Sequence, residues 1–387
     1  MKKEIVRPIR VMRIIARMNV GGPAVQVSGL MRGLNSEEFE HRLFTGYCSN
    51  SEMDYLETTA SDVDATRIEG FGRRISLRGD LRALFTLVRE IRSFKPHIIH
   101  THTSKAGFLG RVASLISLKS SIRVHTFHGH LLNGYFSSTK KLLVILAEKC
   151  LALITQQLLS VGHKVREDLL EAGIGKRIKF GLMPPGLVIS QLPSKVESQL
   201  ALGLSMNKTQ CAFIGRVTQI KRPDRFLDVA REIKKRRVAL EFFIAGDGDL
   251  LDTCRKKIIE EKLPITLLGW QSDIEKVLSA ADIVALTSDN EGMPLCLIQA
   301  GMAGLPVVTT NVGSVSEVVI DGVTGIVTSF NVQEFADALE KLVNDKPLQQ
   351  AFGNAGRDFT MANFGVQRLV NDHEELYRDL ITSRAKF

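Results

Sequence analysis

Glu291-Gly292-Met293-Pro294, with Gln299 after it, sets a carboxylate, a mobile turn and a helix start directly behind a buried apolar run at 282–287. Gly215-Arg216 and Lys221 stand at another strand end in the same half of the chain. A diphosphate is well held by helix N-terminal amides and fixed cations, and a sugar by a carboxylate that accepts its hydroxyl hydrogen bonds. Arg216 can bind oxygens as a fork, and Lys221, across one strand–loop–helix turn, as a point charge. These residue types suggest a site for a phosphorylated sugar, and in particular a nucleotide sugar. Taken alone, the charge cluster also reads as an ordinary solvated surface.

The first half carries weaker signals. Gly21-Gly22 follows the first strand and lets a backbone approach an anion or a sugar, with Pro23 suited to a first helical turn. The third glycine and the acid of a dinucleotide fingerprint are missing, so taken alone the pair reads first as a tight turn. His100, His102, His125, His128 and His130 cluster at two strand ends with no cysteine or carboxylate near them in sequence, which argues against a metal. His128 ends a strand before Gly129, where a side chain can project into a cleft or serve as a satisfied structural histidine. Ser104-Lys105 opens a helix that can offer amides and a cation to phosphate. Gly246 and Gly248 end another strand and allow a ligand close to the backbone.

The elements that must position these residues alternate along the chain. Strands are predicted at 9–16, 41–47, 97–101, 123–127 and 157–161, with helices at 24–34, 81–94, 106–118, 140–154 and 163–172. A break at Met183-Pro184-Pro185-Gly186 leads into a polar stretch without predicted structure. A second series follows, with strands at 211–215, 240–245, 265–269, 282–287, 306–310 and 325–328. Its helices are predicted at 223–235, 250–262, 272–280, 294–303 and 332–343. Strands alternating with helices imply parallel sheets, and a chain of 387 residues is long for one core. The expectation is an α/β protein of two doubly wound, Rossmann-like domains facing a central cleft, where such folds bind ligands. The domains are expected at 1–190 and 191–363, with a last helix, 364–387, crossing back to the first.

Composition narrows the class. Five scattered cysteines without a C-x-x-C pair indicate reduced intracellular thiols, and no segment has the layout of a signal peptide. The longest apolar stretch, 142–159, contains Glu148 and Lys149 and is short for a membrane span. The expectation is a cytoplasmic protein. Residues 1–190 hold 28 Lys and Arg against 16 Asp and Glu, and no acid occurs between Glu90 and Glu148. A basic half suits an anionic lipid surface or a phosphorylated acceptor. Nucleic acid is disfavoured, because four tyrosines and one tryptophan offer few stacking platforms.

The order and spacing of these motifs resemble the family-4 retaining glycosyltransferases of GT-B fold. The matching residues are Gly21-Gly22, His128-Gly129, Gly215-Arg216 with Lys221, Gly246-x-Gly248 and Glu291-Gly292-x-Pro294, continued by Gly313-Ser314-x-x-Glu317 and Asp321-Gly322-x-x-Gly325. The resemblance implies that Arg216 and Lys221 bind the donor diphosphate, beside Gly215, Gly246 and Gly248. Glu291 would accept hydroxyl bonds from the transferred sugar, and amides near Gly292, Met293, Pro294 and Leu295 would hold phosphate or sugar. It further implies that Gly21 and Gly22 lie against the diphosphate or the acceptor and that His128 contacts the donor sugar. The family usually has a second glutamate eight residues after the first, to bind the ribose hydroxyls, where this chain has Gln299. An amide still accepts hydrogen bonds but forgoes the charge-assisted part, on the order of 1 kcal/mol.

The function implied is a retaining, metal-independent transfer of a hexose or N-acetylhexosamine from a nucleoside-diphosphate sugar, UDP foremost, to a glycan or polyprenyl-diphosphate-linked acceptor in polysaccharide biosynthesis. The sugar nucleotide is a co-substrate, and no cofactor is expected. A nucleotide-sugar 2-epimerase of the same architecture and a non-catalytic sugar-nucleotide-binding protein are the alternatives.

Overall fold

The computed structural model describes residues 8–49, 52–72, 74–129 and 138–384. The chain divides into two compact units, one of residues 1–187 with 366–387 and the other of residues 188–365. The sequence placed these divisions at 190/191 and 363/364.

In the first unit the elements run β1 (Ile9–Arg17), α1 (Gly22–Gly33), β2 (Phe39–Gly46), α2 (Tyr55–Thr58), β3 (Thr66–Arg67), α3 (Leu77–Phe94) and β4 (Ile98–His102). They continue through α4 (Ser104–Ile116), β5 (Ile122–Phe127), α5 (Ser138–Leu153), β6 (Gln157–Ser160), α6 (His163–Glu171) and β7 (Phe180–Leu182). The sheet order is β3-β2-β1-β4-β5-β6-β7, and every pairing is parallel. Its helices form where apolar residues recur at helical spacing and an end is capped. Thus α3 starts where the Ser76 hydroxyl accepts from the Gly79 amide, and it buries Ala83, Leu87, Val88, Ile91 and Phe94.

The second unit contains α7 (Lys195–Ala201), β8 (Thr209–Ile214), α8 (Pro223–Arg236), β9 (Leu240–Ala245), α9 (Leu251–Glu260), β10 (Ile265–Gly269) and α10 (Ile274–Ala280). Then follow β11 (Ile283–Leu286), α11 (Leu295–Met302), β12 (Val307–Thr310), β13 (Gly325–Thr328), α12 (Val332–Asn344) and α13 (Lys346–Phe364). Its sheet, β10-β9-β8-β11-β12-β13, is also wholly parallel. Strands β11 and β12 are buried along their full length, as continuous apolar runs require in a sheet covered on both faces.

The last helix, α14 (Val366–Arg384), belongs to the first unit. It packs along α1, where a Cβ on Gly29 or Gly33 would come within 3.0 or 2.4 Å of the Val366 or Val370 side chain. Leu369, Val370 and Tyr377 join Val11, Leu30, Ile98 and Leu159 in one buried cluster. Arg378 pairs with Glu38 at 2.7 Å, and Arg368 donates to the carbonyls of Pro184 and Pro185.

Three features depart from the sequence reading. The polar stretch after the Pro-Pro-Gly break contains α7, capped by the Ser194 hydroxyl. Strands β3 and β7, of two and three residues, are edge strands too short to show a periodicity. Expected boundaries elsewhere differ by a few residues, since caps rather than hydrophobicity set element ends.

Candidate active site

Strand order reverses between β1 and β4 in the first unit and between β8 and β11 in the second. Open α/β sheets bind ligands at the carboxyl ends of the strands beside such a reversal. Gly21-Gly22 follows β1, Thr103-Ser104 follows β4, Gly215-Arg216 follows β8, and the Glu291 loop follows β11.

In the second unit the loops after β8 and β11 are laced together. The Thr287 hydroxyl donates to the carbonyls of Lys221 and Arg222, and the Asp289 amide donates to the Ile220 carbonyl at 2.9 Å. Arg222 and Arg225 both pair with Asp289, and Arg225 also donates to the Thr287 carbonyl. This lacing brings Lys221 Nζ to 2.6 Å from Glu291 Oε1, although 70 residues separate the two. The buried Ser288 hydroxyl donates to the same Oε1 at 2.6 Å. Both partners therefore converge on one carboxylate oxygen. Oε2 accepts no hydrogen bond from the described residues and remains open to a hydroxyl ligand.

Arg216 is exposed and forms no ion pair among the described residues. Helix α11 begins after Pro294 without a side-chain cap, so its first amides and its positive dipole end are available to an anion. Met293 and Pro294 are buried beside it, Gly292 and Leu295 are half-buried, and Gln299 is half-buried one turn after Leu295. Ser314, fully buried, donates its amide to the Gly292 carbonyl, and its hydroxyl has no partner among the described residues. Ser288 and Ser314 were not singled out as site residues from sequence. The signals available were the three-residue spacing of Ser288 before Glu291 and the glycine before Ser314.

The glycines after β9 have a structural task. A Cβ on Gly246, whose φ is 156°, would lie 1.9 Å from the Gly215 carbonyl oxygen, and one on Gly248 would lie 2.4 Å from that of Val217. The Gly215 amide donates to the Ala245 carbonyl and the Val217 amide to the Asp247 carbonyl. Gly246 and Gly248 thus let two loops touch and thereby fix where Gly215-Arg216 lies.

In the first unit α1 starts at Gly22 after Gly21, with Pro23 in its first turn and neither a side-chain cap nor an acid. Helix α4 likewise begins uncapped. Lys105, expected to face phosphate, pairs instead with Asp80 at 2.5 Å and donates to the Arg74 carbonyl, tying α4 to the start of α3. His100, His102 and His125 are interior groups, and His128 lies partly exposed at their edge. His100 stacks on His102 with centroids 4.3 Å apart, and His102 Nδ1 lies 2.9 Å from Nε2 of the partly exposed His128. His125 bonds to the Thr101 hydroxyl. Burial pushes His128 and His373 down to about 3, and it holds His100, His102 and His125 well below the ordinary imidazole value. Among the described residues no three His, Cys, Asp or Glu side chains are grouped to hold a metal ion. His130 lies outside the described residues.

Two parallel-sheet units, with a carboxylate–lysine pair and an uncapped helix start at the second sheet's reversal, define a GT-B protein equipped for a sugar nucleotide. Residues 21–186 match the family described as Glycosyl transferase 4-like domain, and residues 196–359 that described as Glycosyl transferases group 1; the chain belongs to these glycosyltransferases. It is 28% identical over 367 residues to the UDP-Gal:alpha-D-GlcNAc-diphosphoundecaprenol alpha-1,3-galactosyltransferase of Escherichia coli, covering 91% of this chain and 92% of that protein. The capsular polysaccharide biosynthesis glycosyltransferase CapM of Staphylococcus aureus is 22% identical over 339 residues, covering 85% and 88%. Among solved structures, Anabaena HepE in complex with UDP superposes with a TM-score of 0.79 at 18% identity, over 96% of this chain and all of that one.

Proposed function

We propose that this glycosyltransferase moves a hexose or N-acetylhexosamine, with retention, from a UDP-sugar to a lipid-diphosphate-linked acceptor during assembly of a surface polysaccharide. The observation that carries the reading is the Glu291 carboxylate, anchored through Oε1 by Lys221 and Ser288 and open at Oε2, beside the uncapped start of α11. Full-length similarity to a galactosyltransferase named for such a donor and acceptor supports it.

In this reading Oε2 accepts hydroxyl hydrogen bonds from the transferred sugar, while Arg216, Lys221 and the α11 amides take the diphosphate. As the glycosidic C–O bond breaks, the electron pair goes to the β-phosphate oxygen, and these cations and amides stabilise the developing charge. The acceptor hydroxyl attacks the anomeric carbon from the same face and passes its proton to the departing phosphate. The products are glycosylated acceptor and UDP. No protein nucleophile is required, and fixed cations take the role a metal would have, so turnover should survive EDTA.

Among the described residues no helix is long and apolar enough to cross a membrane. Helix α5 nevertheless exposes Leu142, Leu143, Leu146 and Leu153, and α4 exposes Phe108, Leu115 and Ile116, in the half of the chain rich in basic residues. These features support peripheral attachment to the anionic cytoplasmic face of the membrane, where a lipid-linked acceptor resides. Binding should be stronger to anionic than to neutral vesicles and should fall with salt; equal binding to both would remove the electrostatic part.

The deciding experiment incubates the protein with UDP-galactose, UDP-glucose or UDP-N-acetylglucosamine, with and without a synthetic N-acetylglucosaminyl-diphosphate-lipid. Acceptor-dependent release of UDP is expected with one donor. Conversion of a donor to its 2-epimer without acceptor would replace this reading by the epimerase. Binding of UDP without turnover of any donor would replace it by the non-catalytic protein.

A further inference from the structure

His373, His100, His102 and His128 form a continuous row of imidazoles from α14 to the end of β5, with successive centroids 5.7, 4.3 and 5.2 Å apart. Protonation along part of this row can be assigned from donor inventory. Arg13, fully buried on β1, has only donors, so its Nη2 donates to the Tyr377 hydroxyl at 3.0 Å. That hydroxyl then donates its own proton to His100 Nδ1 at 2.6 Å. His100 is therefore protonated on Nε2, which donates to the Thr126 hydroxyl at 2.7 Å. This chain holds the ends of β4 and β5 in place under α14.

His102 lies outside that chain. Its Nδ1 faces His128 Nε2, and its own Nε2 is buried without a partner among the described residues. Both rings are neutral, so one must donate and two arrangements exist. If His128 Nε2–H donates, His102 must carry its remaining proton on the buried Nε2, leaving an orphaned N–H. If His102 Nδ1–H donates, the buried Nε2 is only a lone pair. Orphaned buried N–H groups are the rarer and costlier case, so the second arrangement is favoured.

We propose that His102 is a positioning residue: its Nδ1–H donates to His128 Nε2 and fixes His128 as the tautomer that presents Nδ1–H to an oxygen of the sugar substrate. His128 Nδ1 makes no hydrogen bond with the described residues and is free for that contact. A ring fixed in this way donates a hydrogen bond and does not take up the acceptor's proton. The catalytic consequence rests on His128 being a sugar contact; the tautomer does not.

The test is long-range proton–nitrogen correlation NMR on protein labelled with 15N-histidine at pH 8, with His128 assigned from its absence in His128→Phe. The His128 proton is expected on Nδ1, both in the unchanged protein and in His102→Asn, whose amide nitrogen can stand in for Nδ1–H. In His102→Leu nothing fixes the ring, and His128 should show a mixture of both tautomers. With UDP-galactose and the lipid acceptor, His102→Leu should lower kcat/KM about tenfold, the size of one lost hydrogen bond, while His102→Asn should stay within about threefold. A proton on Nε2 in the unchanged protein overturns the proposal. If the tautomer is as assigned but His128→Phe transfers at the original rate, the sugar contact falls, and with it the role of His102 in the reaction. Should His102→Leu fail to fold, the unchanged protein and His102→Asn still decide the assignment.

Discussion

Lowering the pH from 7.5 to 5.5 should destabilise the first unit by about 5 kcal/mol and leave the second almost untouched. All nine histidines of the chain lie outside residues 188–365, which form the second unit. His100, His102, His125 and His373 are at most 1% exposed, and burial, with neighbouring imidazoles and arginines, holds each far below its unfolded value of 6.5. As pH falls, the unfolded chain therefore binds these protons before the folded one does. The stabilisation is complete above pH 6.5 and is lost as pH drops below 6.5 towards the folded values, about 3 for His373. One pH unit below 6.5 costs about 1.4 kcal/mol per group, so the four together cost roughly 5 kcal/mol at pH 5.5. A domain's whole stability is about 5–15 kcal/mol, so the first unit should be close to unfolding there. The chain supplies its own reporters: Trp270, the sole tryptophan, lies in the second unit. In urea titrations at pH 5.5, far-ultraviolet circular dichroism should show an early transition that Trp270 fluorescence does not follow. If the dichroism curve is the same at pH 5.5 and 7.5, the histidines are not held neutral by the fold and the reasoning is wrong.

Gly246→Ala should cost the second unit about 3 kcal/mol or more, since its Cβ would meet the Gly215 carbonyl at 1.9 Å; an unshifted Trp270 melting curve would show that the loops yield. Glu148→Ala leaves the fully buried Arg111 without its 2.7 Å carboxylate partner and should destabilise the first unit by about 3–5 kcal/mol. The double change Arg111→Met with Glu148→Leu should recover much of that loss in the same urea titration. Ser288→Ala removes one of the two anchors on Glu291 Oε1 and should lower kcat/KM about tenfold while costing the second unit only about 1 kcal/mol of stability. Gln299→Glu should tighten UDP binding about fivefold by calorimetry, as a charge-assisted bond replaces a neutral one; unchanged affinity would place residue 299 away from the ribose.

The alternation of strands and helices was readable because buried parallel strands such as 283–286 are unbroken apolar runs and their helices carry a clear polar face. The motifs around Arg216, Lys221 and Glu291 were equally plain as residue types at strand ends. Their pairing was not. Lys221 meets Glu291 because Thr287 and Asp289 bind the backbone of the preceding loop, and such long-range contacts leave no mark on local spacing. Gly246 and Gly248 read in sequence as room for a ligand, and their missing side chains also make room for a neighbouring backbone, which local spacing does not show. Lys105 had the right charge at a helix start, but Asp80, 25 residues earlier, already holds it. The histidines showed no partners in sequence because their partners lie on other strands and on the last helix.

That last helix also sets the order in which the molecule can mature. The second unit is one continuous stretch of chain, while the first needs Leu369, Val370 and Tyr377 to cover Leu30, Ile98 and Leu159. On the ribosome the half that emerges first must therefore wait, with that apolar face open, until residues 366–377 have been made. The later-made unit can finish folding before the earlier one closes. A nascent chain stalled just short of residue 366 would be defective in its oldest part, and protection by a chaperone matters most during that interval.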